Sequence, residues 1–339
     1  MAIGSSIYPI SASAIQTRQQ TNPAIRIRRS TADPLSPSEL AEKRREVVDK
    51  ASDTRTMDDS PTPRRSPIRL EDHEYIVAYN LDIIDGAPSE WVGIAEMASE
   101  QSNDGVARVA SSRDIVANIH SQAKQNAQGR KYLKQQNEAD ILTLSSEDSD
   151  KWSDWDRLLE NEWHKQDDHG NKTAWTVQWK ADPADSQKHA VHAELRMYPY
   201  HSGTAPWDNE GAKINFEFND CVEVESHEPG NSIGSNTKSW SLGYSSGGEV
   251  SIGIGGATTS SNLDIDDTTV IDGNENHVTH TYTFNGDLEG NSLFLPASAT
   301  AVSEWNSGEK FVEVDLVSRY WQWWRGPHTL SNSYEYYWR

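Results

Sequence analysis

The chain has 339 residues, 35% of them hydrophobic, and a formal net charge of −21, so it is long enough for more than one domain. The charge is uneven: residues 1–69 carry 12 Lys and Arg against 8 Asp and Glu, which leaves 19 against 44 in residues 70–339. Because phosphate groups need a basic surface, this acidity excludes nucleic acid and anionic lipid as expected partners. Such acidity is typical of proteins from a high-salt cytoplasm, so we expect a halophilic source.

The sequence does not fix the cellular compartment of the protein. The single cysteine, Cys221, excludes an intramolecular disulfide, and no apolar run of the roughly 18 residues that a transmembrane helix needs is present. The N-terminus lacks a basic stretch followed by an apolar core, so no signal peptide is visible. We therefore expect a cytoplasmic protein, or an extracellular or cell-surface one if the start codon is misassigned.

Residues 1–70 predict a disordered basic arm, because their Ser, Thr, Pro and Arg content cannot bury enough apolar surface to offset ordering. One short helix is expected within the arm, at 36–50. Ser36 is its N-cap, Glu39 completes a capping box, and Leu40, Val47 and Val48 form its apolar face.

Residues 71–145 predict a small mixed α/β segment. A strand is expected at 74–84, followed by a long polar helix from residue 112. Ile115, Ile119, Ala123 and Leu133 fall on one stripe of that helix. Its composition is typical of a surface or spacer helix.

Residues 146–168 predict a helix with one tryptophan face. Trp152, Trp155, Leu159 and Trp163 recur at helical spacing. Three indole rings on one face are too much apolar area for water, so we expect this helix to pack on a larger body.

From residue 170 to 339 the hydrophobic period changes to two. About eight short strands separated by turn clusters predict an antiparallel β-sandwich. The expected fold class is therefore mainly β, with the sandwich preceded by the α/β segment and the disordered arm.

Metal-binding patterns are sparse. The pairs His189 with His192 and His277 with His280 each have a spacing of three, which in a strand sends the two side chains to opposite faces. An acidic loop offers a calcium site instead, although it lacks the glycine and final glutamate of an EF-hand. The candidate calcium ligands are Asp264, Asp266, Asp272 and Asn274. No other cofactor is expected.

An aromatic cluster near the C-terminus predicts a binding surface. In "RYWQWWRG" one face of the strand must belong to the core, so the other presents rings outward. The candidate binding residues are Arg319, Tyr320, Trp321, Trp323 and Trp324.

The stretch 239–256 predicts a β-hairpin whose apolar residues alternate with Ser and Gly. Only Glu249 is charged between Ser239 and Asn262, so this is the least charged part of an acidic region. Such a pattern is typical both of sandwich strands and of a membrane-inserting hairpin, but the two arms are short for a bilayer. The candidate membrane-facing residues are Trp240, Leu242, Tyr244, Val250, Ile252 and Ile254.

Three functions follow from these patterns. The first is a non-enzymatic binding or surface protein that recognises a protein or a glycan through the aromatic cluster. An oligomer of such a protein is compatible with the sequence. The second is a pore-forming or toxin-like protein that inserts 239–256. The third is a carbohydrate-active hydrolase, for which the sequence singles out no acid and base; nucleotide and serine-nucleophile motifs are absent, which favours a protein that is not an enzyme.

Overall fold

The computed structural model describes residues 24–52, 64–84, 86–97, 111–136, 155–201, 206–228, 240–244, 250–254, 263–271, 276–284, 292–303 and 308–338. These residues form two helices and seventeen strands arranged in two sheets, so the prediction of a mainly β, sandwich-like fold is confirmed.

The larger sheet has ten strands in the spatial order β1-β3-β4-β5-β6-β7-β15-β11-β10, and β9 shares one edge of β15 with β11. Pairing is antiparallel except between β4 and β5 and between β11 and β15. In chain order its strands are β1 (Ile25–Arg28), β3 (Glu74–Ile84), β4 (Ala87–Glu96), β5 (Asp156–Gln166), β6 (Lys172–Asp182), β7 (Asp185–Tyr198), β9 (Val222–Glu228), β10 (Trp240–Tyr244), β11 (Val250–Ile254) and β15 (Leu293–Ser303).

The smaller sheet has seven strands in the order β12-β14-β8-β16-β17-β2, and β13 also pairs with β14. All of its pairs are antiparallel. In chain order its strands are β2 (Arg64–Arg65), β8 (Asp208–Phe218), β12 (Leu263–Asp267), β13 (Val270–Ile271), β14 (Asn276–Phe284), β16 (Lys310–Gln322) and β17 (Gly326–Tyr337).

The two sheets pack face to face through aromatic rings. Trp163 of β5 stacks on Tyr334 of β17 with ring centroids 3.7 Å apart, and Trp179 of β6 stacks on Phe311 of β16 at 4.5 Å. Side chains of both sheets join one buried cluster, as the period-two alternation predicts. Burial of these large rings makes the sandwich interior the main source of stability.

Two helices flank the sheets: α1 (Pro37–Ser52) and α2 (Ser112–Gln136). The predicted cap of α1 is present, since the Glu39 amide donates to Ser36 Oγ at 3.1 Å. On α2, Ile119 lies over β4 at Gly93, where an added Cβ would come within 2.3 Å of Ile119 Cγ2. Ile115, Ile119 and Ala123 of the expected stripe are buried against β3 and β4, so α2 is a packed surface helix and not a spacer; the side chain of Leu133 lies outside the description.

The prediction of a disordered N-terminal arm is wrong for the residues that the structure describes. β1 pairs with β3 from Ile25↔Leu81 to Arg28↔Ala78, and Leu35 is fully buried. Backbone pairing to an open sheet edge orders this segment, which its polar composition does not reveal. Residues 1–23 and 53–63 lie outside the described residues.

The predicted tryptophan-faced helix is also wrong, because Asp156–Gln166 is strand β5. Leu159 and Trp163 are both fully buried, as the helical pattern requires, but a spacing of four also places two residues on one face of a strand. Trp152 lies outside the described residues. The helical and the strand periods therefore predict the same two buried residues, Leu159 and Trp163.

The α/β segment is part of the sandwich, since β3 and β4 continue its larger sheet into β5. Glu90 of β4 ties this region together: it pairs with Arg65 of β2 at 2.5 Å and with Arg44 of α1. Burial opposes the charge of Glu90, but the two guanidinium groups prevail and lower its pKa. The ion cluster thus joins α1, the larger sheet and the smaller sheet.

Candidate functional site

In the described ranges, the most exposed aromatic group lies at the turn between β16 and β17. Trp321, Trp323 and Trp324 are 39%, 72% and 38% exposed, and we call them the tryptophan tip. Among the described residues, Val270 alone among the other large hydrophobic residues has comparable exposure. The rings of Trp323 and Trp324 meet edge to face at 4.7 Å. The tip is therefore a compact apolar projection on an acidic protein.

The flanking predicted residues divide between surface and core. Arg319 is exposed and lies 3.5 Å from Glu210. Tyr320 is fully buried, and its hydroxyl donates to the Lys172 carbonyl at 2.6 Å and lies 2.7 Å from Thr173 Oγ1. Placing Tyr320 on the binding surface was wrong, because alternation along β16 turns it inward between outward-facing Arg319 and Trp321.

Beside the tip, three aromatic and imidazole rings pack together. His169, in the turn after β5, stacks on Trp207 at 5.1 Å and meets His328 of β17 edge to face at 5.3 Å. Arg325, the residue after Trp324, donates from Nη1 to His169 Nδ1 at 2.7 Å. This network fixes the base of the tip to the neighbouring turn, so the tip is held by a preorganised support.

A buried charge cluster lies beneath these rings. His328 Nε2 is 3.1 Å from Asp167 Oδ2 and 3.6 Å from Glu96 Oε1, and buried Lys165 contacts Glu74 and lies 3.7 Å from Glu96. Burial raises the pKa of Glu96 to about 7, although Lys165 and His328 act in the opposite direction. Burial lowers the pKa of His328, but the contact with Asp167 and the negative charges of Asp167, Glu96 and Asp168 together outweigh burial, so the net shift is upward.

A cavity of about 350 Å³ opens next to this cluster. Lys165, Thr173, Tyr198 and Tyr200 are among the residues that line it. Sequence reasoning missed both the cavity and the charge cluster, because their members come from strands β3 to β7, from β17 and from the turns, and share no local motif.

The predicted hairpin is present as β10 and β11. Its register pairs Trp240 with Ile254, Leu242 with Ile252 and Tyr244 with Val250. Ser241 pairs with Gly253 and Gly243 with Ser251 between them, so apolar and small positions alternate in step on both strands. The side chains of these ten residues lie outside what the structure describes.

The hairpin strands reach the end of the sandwich that carries the tryptophan tip. Val250, where β11 begins, pairs with Leu293, and Leu293 pairs with Met197 near the end of β7. Met197 in turn pairs with Thr173, which contacts Tyr320 next to the tip. The start of β11 and the tip thus lie at one end of the molecule, which we call the tryptophan end.

Of the four predicted calcium ligands, Asp266 alone has a side chain that the structure describes, so the calcium site stays a prediction. Asp266 is exposed, Asp264 lies in β12 with its side chain outside the description, and Asp272 and Asn274 lie outside the described residues. A different group, His227, Asp267 and His280, does converge. Sequence reasoning missed it because His227 belongs to β9, far from the acidic loop in the chain.

The histidine pairs behave as strand alternation predicts in one case. His280 is fully buried while His277 is half-buried, so the two lie on different sides of β14. His189 and His192 are both buried but have different surroundings, Trp179 and Phe311 for the first and Glu194 for the second.

In the part of the chain that the structure describes, neither helix has the length and apolar character needed to cross a membrane.

No family model and no curated protein matches the chain. Among solved structures, it is similar to Clostridium perfringens delta-toxin, with 9% identity, a TM-score of 0.29 and coverage of 53% of this chain and 87% of that one. It is also similar to the C. perfringens NetB toxin in its membrane-inserted form, with 12% identity, a TM-score of 0.25 and coverage of 52% and 93%. At these TM-scores neither likeness assigns a family or an activity.

Proposed function

We propose that this protein acts on membranes, and that the segment containing β10 and β11 inserts into the bilayer as a β-hairpin. The observation that carries the proposal is the register of that hairpin, in which apolar residues pair with apolar ones and small uncharged residues pair with one another. A strand pair with this alternation suits lipid on one side and an aqueous lumen on the other.

The attachment of the hairpin supports its release. Within the described ranges, β11 pairs with β15 at Val250↔Leu293 and Ser251↔Phe294 only, and β10 is the last strand of its sheet. β15 keeps other partners without the hairpin, since β7 pairs with it from Leu293 to Val302 and β9 from Ser298 to Ser303. Removing the hairpin would therefore break few of the pairings that hold the sandwich together.

The length and charge of the segment fit a bilayer better than the two short strands suggest. Residues 229–262 connect β9 to β12, and Lys238 and Glu249 are their only charged residues. A transmembrane strand needs about 9–11 residues, so this segment is long enough for two such strands and a turn. Charged residues, which are costly in lipid, are nearly absent from it although the chain carries −21 overall.

Release of a fluorescent dye from vesicles tests this proposal. Because the acidic surface disfavours anionic lipid, the vesicles are phosphatidylcholine with and without cholesterol. In a C221S background, Ser251→Cys with Phe294→Cys places a disulfide across the β11–β15 pair. We expect the oxidised protein to lose release and the reduced protein to regain it.

The matched control is Asp315→Cys with Ser333→Cys, a paired position on β16 and β17 that leaves the hairpin free. Dye release should be the same for the oxidised and reduced control. Absence of release by the unmodified protein, or full release by the locked hairpin with its disulfide confirmed by mass spectrometry, would contradict the proposal.

A second candidate function is recognition of a protein or glycan through the tryptophan tip. The exposure of Trp321, Trp323 and Trp324 favours it, since large exposed rings on a supported turn suit a contact surface. Binding to a glycan array and to immobilised cell-surface protein extracts, compared between the unmodified chain and Trp323→Ala, tests it. Val270→Ala, which removes another exposed hydrophobic residue outside the tryptophan tip, is the control.

A further inference from the structure

Three ligand-bearing side chains meet where the two sheets approach each other, away from the tryptophan end. His227 lies on β9 of the larger sheet, and His280 lies on β14 of the smaller sheet. Asp267 is the last residue of β12, next to His280 in the strand register. From this convergence we propose that His227, Asp267 and His280 bind a divalent transition metal of the zinc class.

The distances from the two imidazole nitrogens to the Asp267 carboxylate are too long for hydrogen bonds and leave room for a cation between the groups. His227 Nδ1 is 4.0 Å from Asp267 Oδ2, and His280 Nδ1 is 3.9 Å from Asp267 Oδ1. These separations exceed the hydrogen-bond range. Zinc bonds of about 2.0–2.2 Å in tetrahedral geometry place ligand atoms roughly 3.3–3.5 Å apart, so each imidazole must move about half an ångström closer to the carboxylate.

The surroundings of the three groups suit a metal. His280 is fully buried and His227 nearly so, and one ligand atom of each of the three residues lies within 4.8 Å of the others. Nδ1 of His227 is buried and makes no hydrogen bond in the described part of the molecule. A buried imidazole nitrogen aimed at a carboxylate without bonding it is a group for which a cation would supply the missing partner.

The carboxylate is already oriented. Asp267 Oδ1 accepts hydrogen bonds from the Thr269 hydroxyl at 2.6 Å and from the Thr269 amide at 3.2 Å. Such hydrogen bonds from outside the ligand set hold a carboxylate in one orientation and thereby increase its affinity for a metal. Within the described residues, the ion-pairing neighbours of Asp267 are the two imidazoles, so its charge is available to a cation.

The donor set selects the kind of metal. Two imidazole nitrogens and one carboxylate oxygen are typical of zinc, and a water completes a tetrahedral site. Calcium needs six to eight oxygen donors, which this group does not offer. The site is thus of a different class from the acidic-loop calcium site that the sequence predicts.

A metal here would also fasten the chain at two points. His227 precedes the segment that contains β10 and β11, and Asp267 follows it. Bound metal would hold both ends of residues 228–266 and join the larger sheet to the smaller one. This consequence holds whether or not the segment enters a membrane.

Isothermal titration of the chelator-treated full chain with Zn²⁺, and the visible absorption of Co²⁺ in its place, test the proposal. We expect one equivalent of Zn²⁺ per chain and a Co²⁺ spectrum typical of a tetrahedral site. Asp267→Asn and His227→Ala should each weaken binding by about 100-fold or more, because loss of a ligand exceeds loss of an outer-shell partner.

His277→Ala is the matched control, since this half-buried histidine lies on the other side of β14 from His280. It should leave zinc affinity unchanged. Circular dichroism confirms that the variants fold, and the isosteric Asp267→Asn keeps the test valid if His227→Ala does not. Unchanged affinity in Asp267→Asn, equal loss in His277→Ala, or no stoichiometric binding would overturn the proposal.

Discussion

This molecule has two groups of tryptophans, one buried between the sheets and one exposed on a turn. Trp179 lies between the sheets, 1% exposed and stacked on Phe311, whereas Trp323 lies on a turn and is 72% exposed. Strand position buries the first ring and turn position exposes the second. The interior group therefore supplies stability, and the tip group supplies an apolar surface that the fold does not need.

Among the substitutions that test this comparison, Trp179→Ala is expected to lower the stability of the fold most. Removing a fully packed ring leaves a cavity between the sheets, and we expect the free energy of unfolding to fall by about 4 kcal/mol. Denaturant unfolding followed by far-ultraviolet circular dichroism measures the loss. A loss no larger than that of Trp323→Ala would erase the distinction between the two groups.

Glu90→Gln extends the comparison to the ionic part of the interior. The substitution leaves the guanidinium groups of Arg65 and Arg44 without their buried carboxylate, so we expect a loss of about 3 kcal/mol. Thermal unfolding at two salt concentrations measures it. Glu217→Gln, at an exposed carboxylate paired with Lys310, should cost far less and serves as control.

Glu96→Gln probes the charge cluster that supports the tip. Because burial raises the pKa of Glu96 from its ordinary 4.5 to about 7, the folded state binds a proton that the unfolded state lacks between these values. The stability from this group is complete below about pH 4.5 and is lost as the pH rises through about 7. The variant should therefore be more stable than the unmodified protein at about pH 8, by on the order of 1 kcal/mol.

Unfolding midpoints measured from about pH 5 to about pH 9 test this sign. The difference between the two proteins should grow toward alkaline pH. A constant difference across the range would mean that Glu96 does not carry the raised pKa.

Trp323→Ala should have the smallest effect on stability, within about 0.5 kcal/mol, because the ring is mostly in water already. Its effect belongs to binding, where loss of an exposed anchor ring typically costs more than it costs in folding. Chemical unfolding and the binding assays described above separate the two. A loss above about 1 kcal/mol in unfolding would show that the tip is part of the core after all.

Much of the sandwich follows from its period-two pattern, but the pattern fails where two periods coincide. Trp175, Val177 and Trp179 are buried at alternate positions of β6, as a period of two requires. Leu159 and Trp163, four residues apart, satisfy a helix and a strand equally, so the pattern could not choose between them. Pairing with β4 and β6 decides it, and that is information from distant chain segments.

The candidate sites follow the same rule. The exposed Trp323 and Trp324 could be predicted from local sequence, but the inward turn of Tyr320 could not, because both faces of β16 carry aromatic residues at that point. His227, Asp267 and His280 meet only through the sheet topology. Local sequence therefore predicts the exposed tryptophans, whereas the His227, Asp267 and His280 group is visible only in the tertiary structure.

The short strand β1 has a consequence for how the chain meets other copies of itself. Its four residues cover Ala78–Leu81, near the middle of the eleven-residue β3, which is otherwise the outermost long strand of the larger sheet. Without this cover, a long and largely apolar strand would offer unpaired amides and carbonyls to any neighbouring chain. Ile25–Arg28 is short and carries two arginines, and a short, charged edge strand offers less for another chain to pair with than the long β3 would.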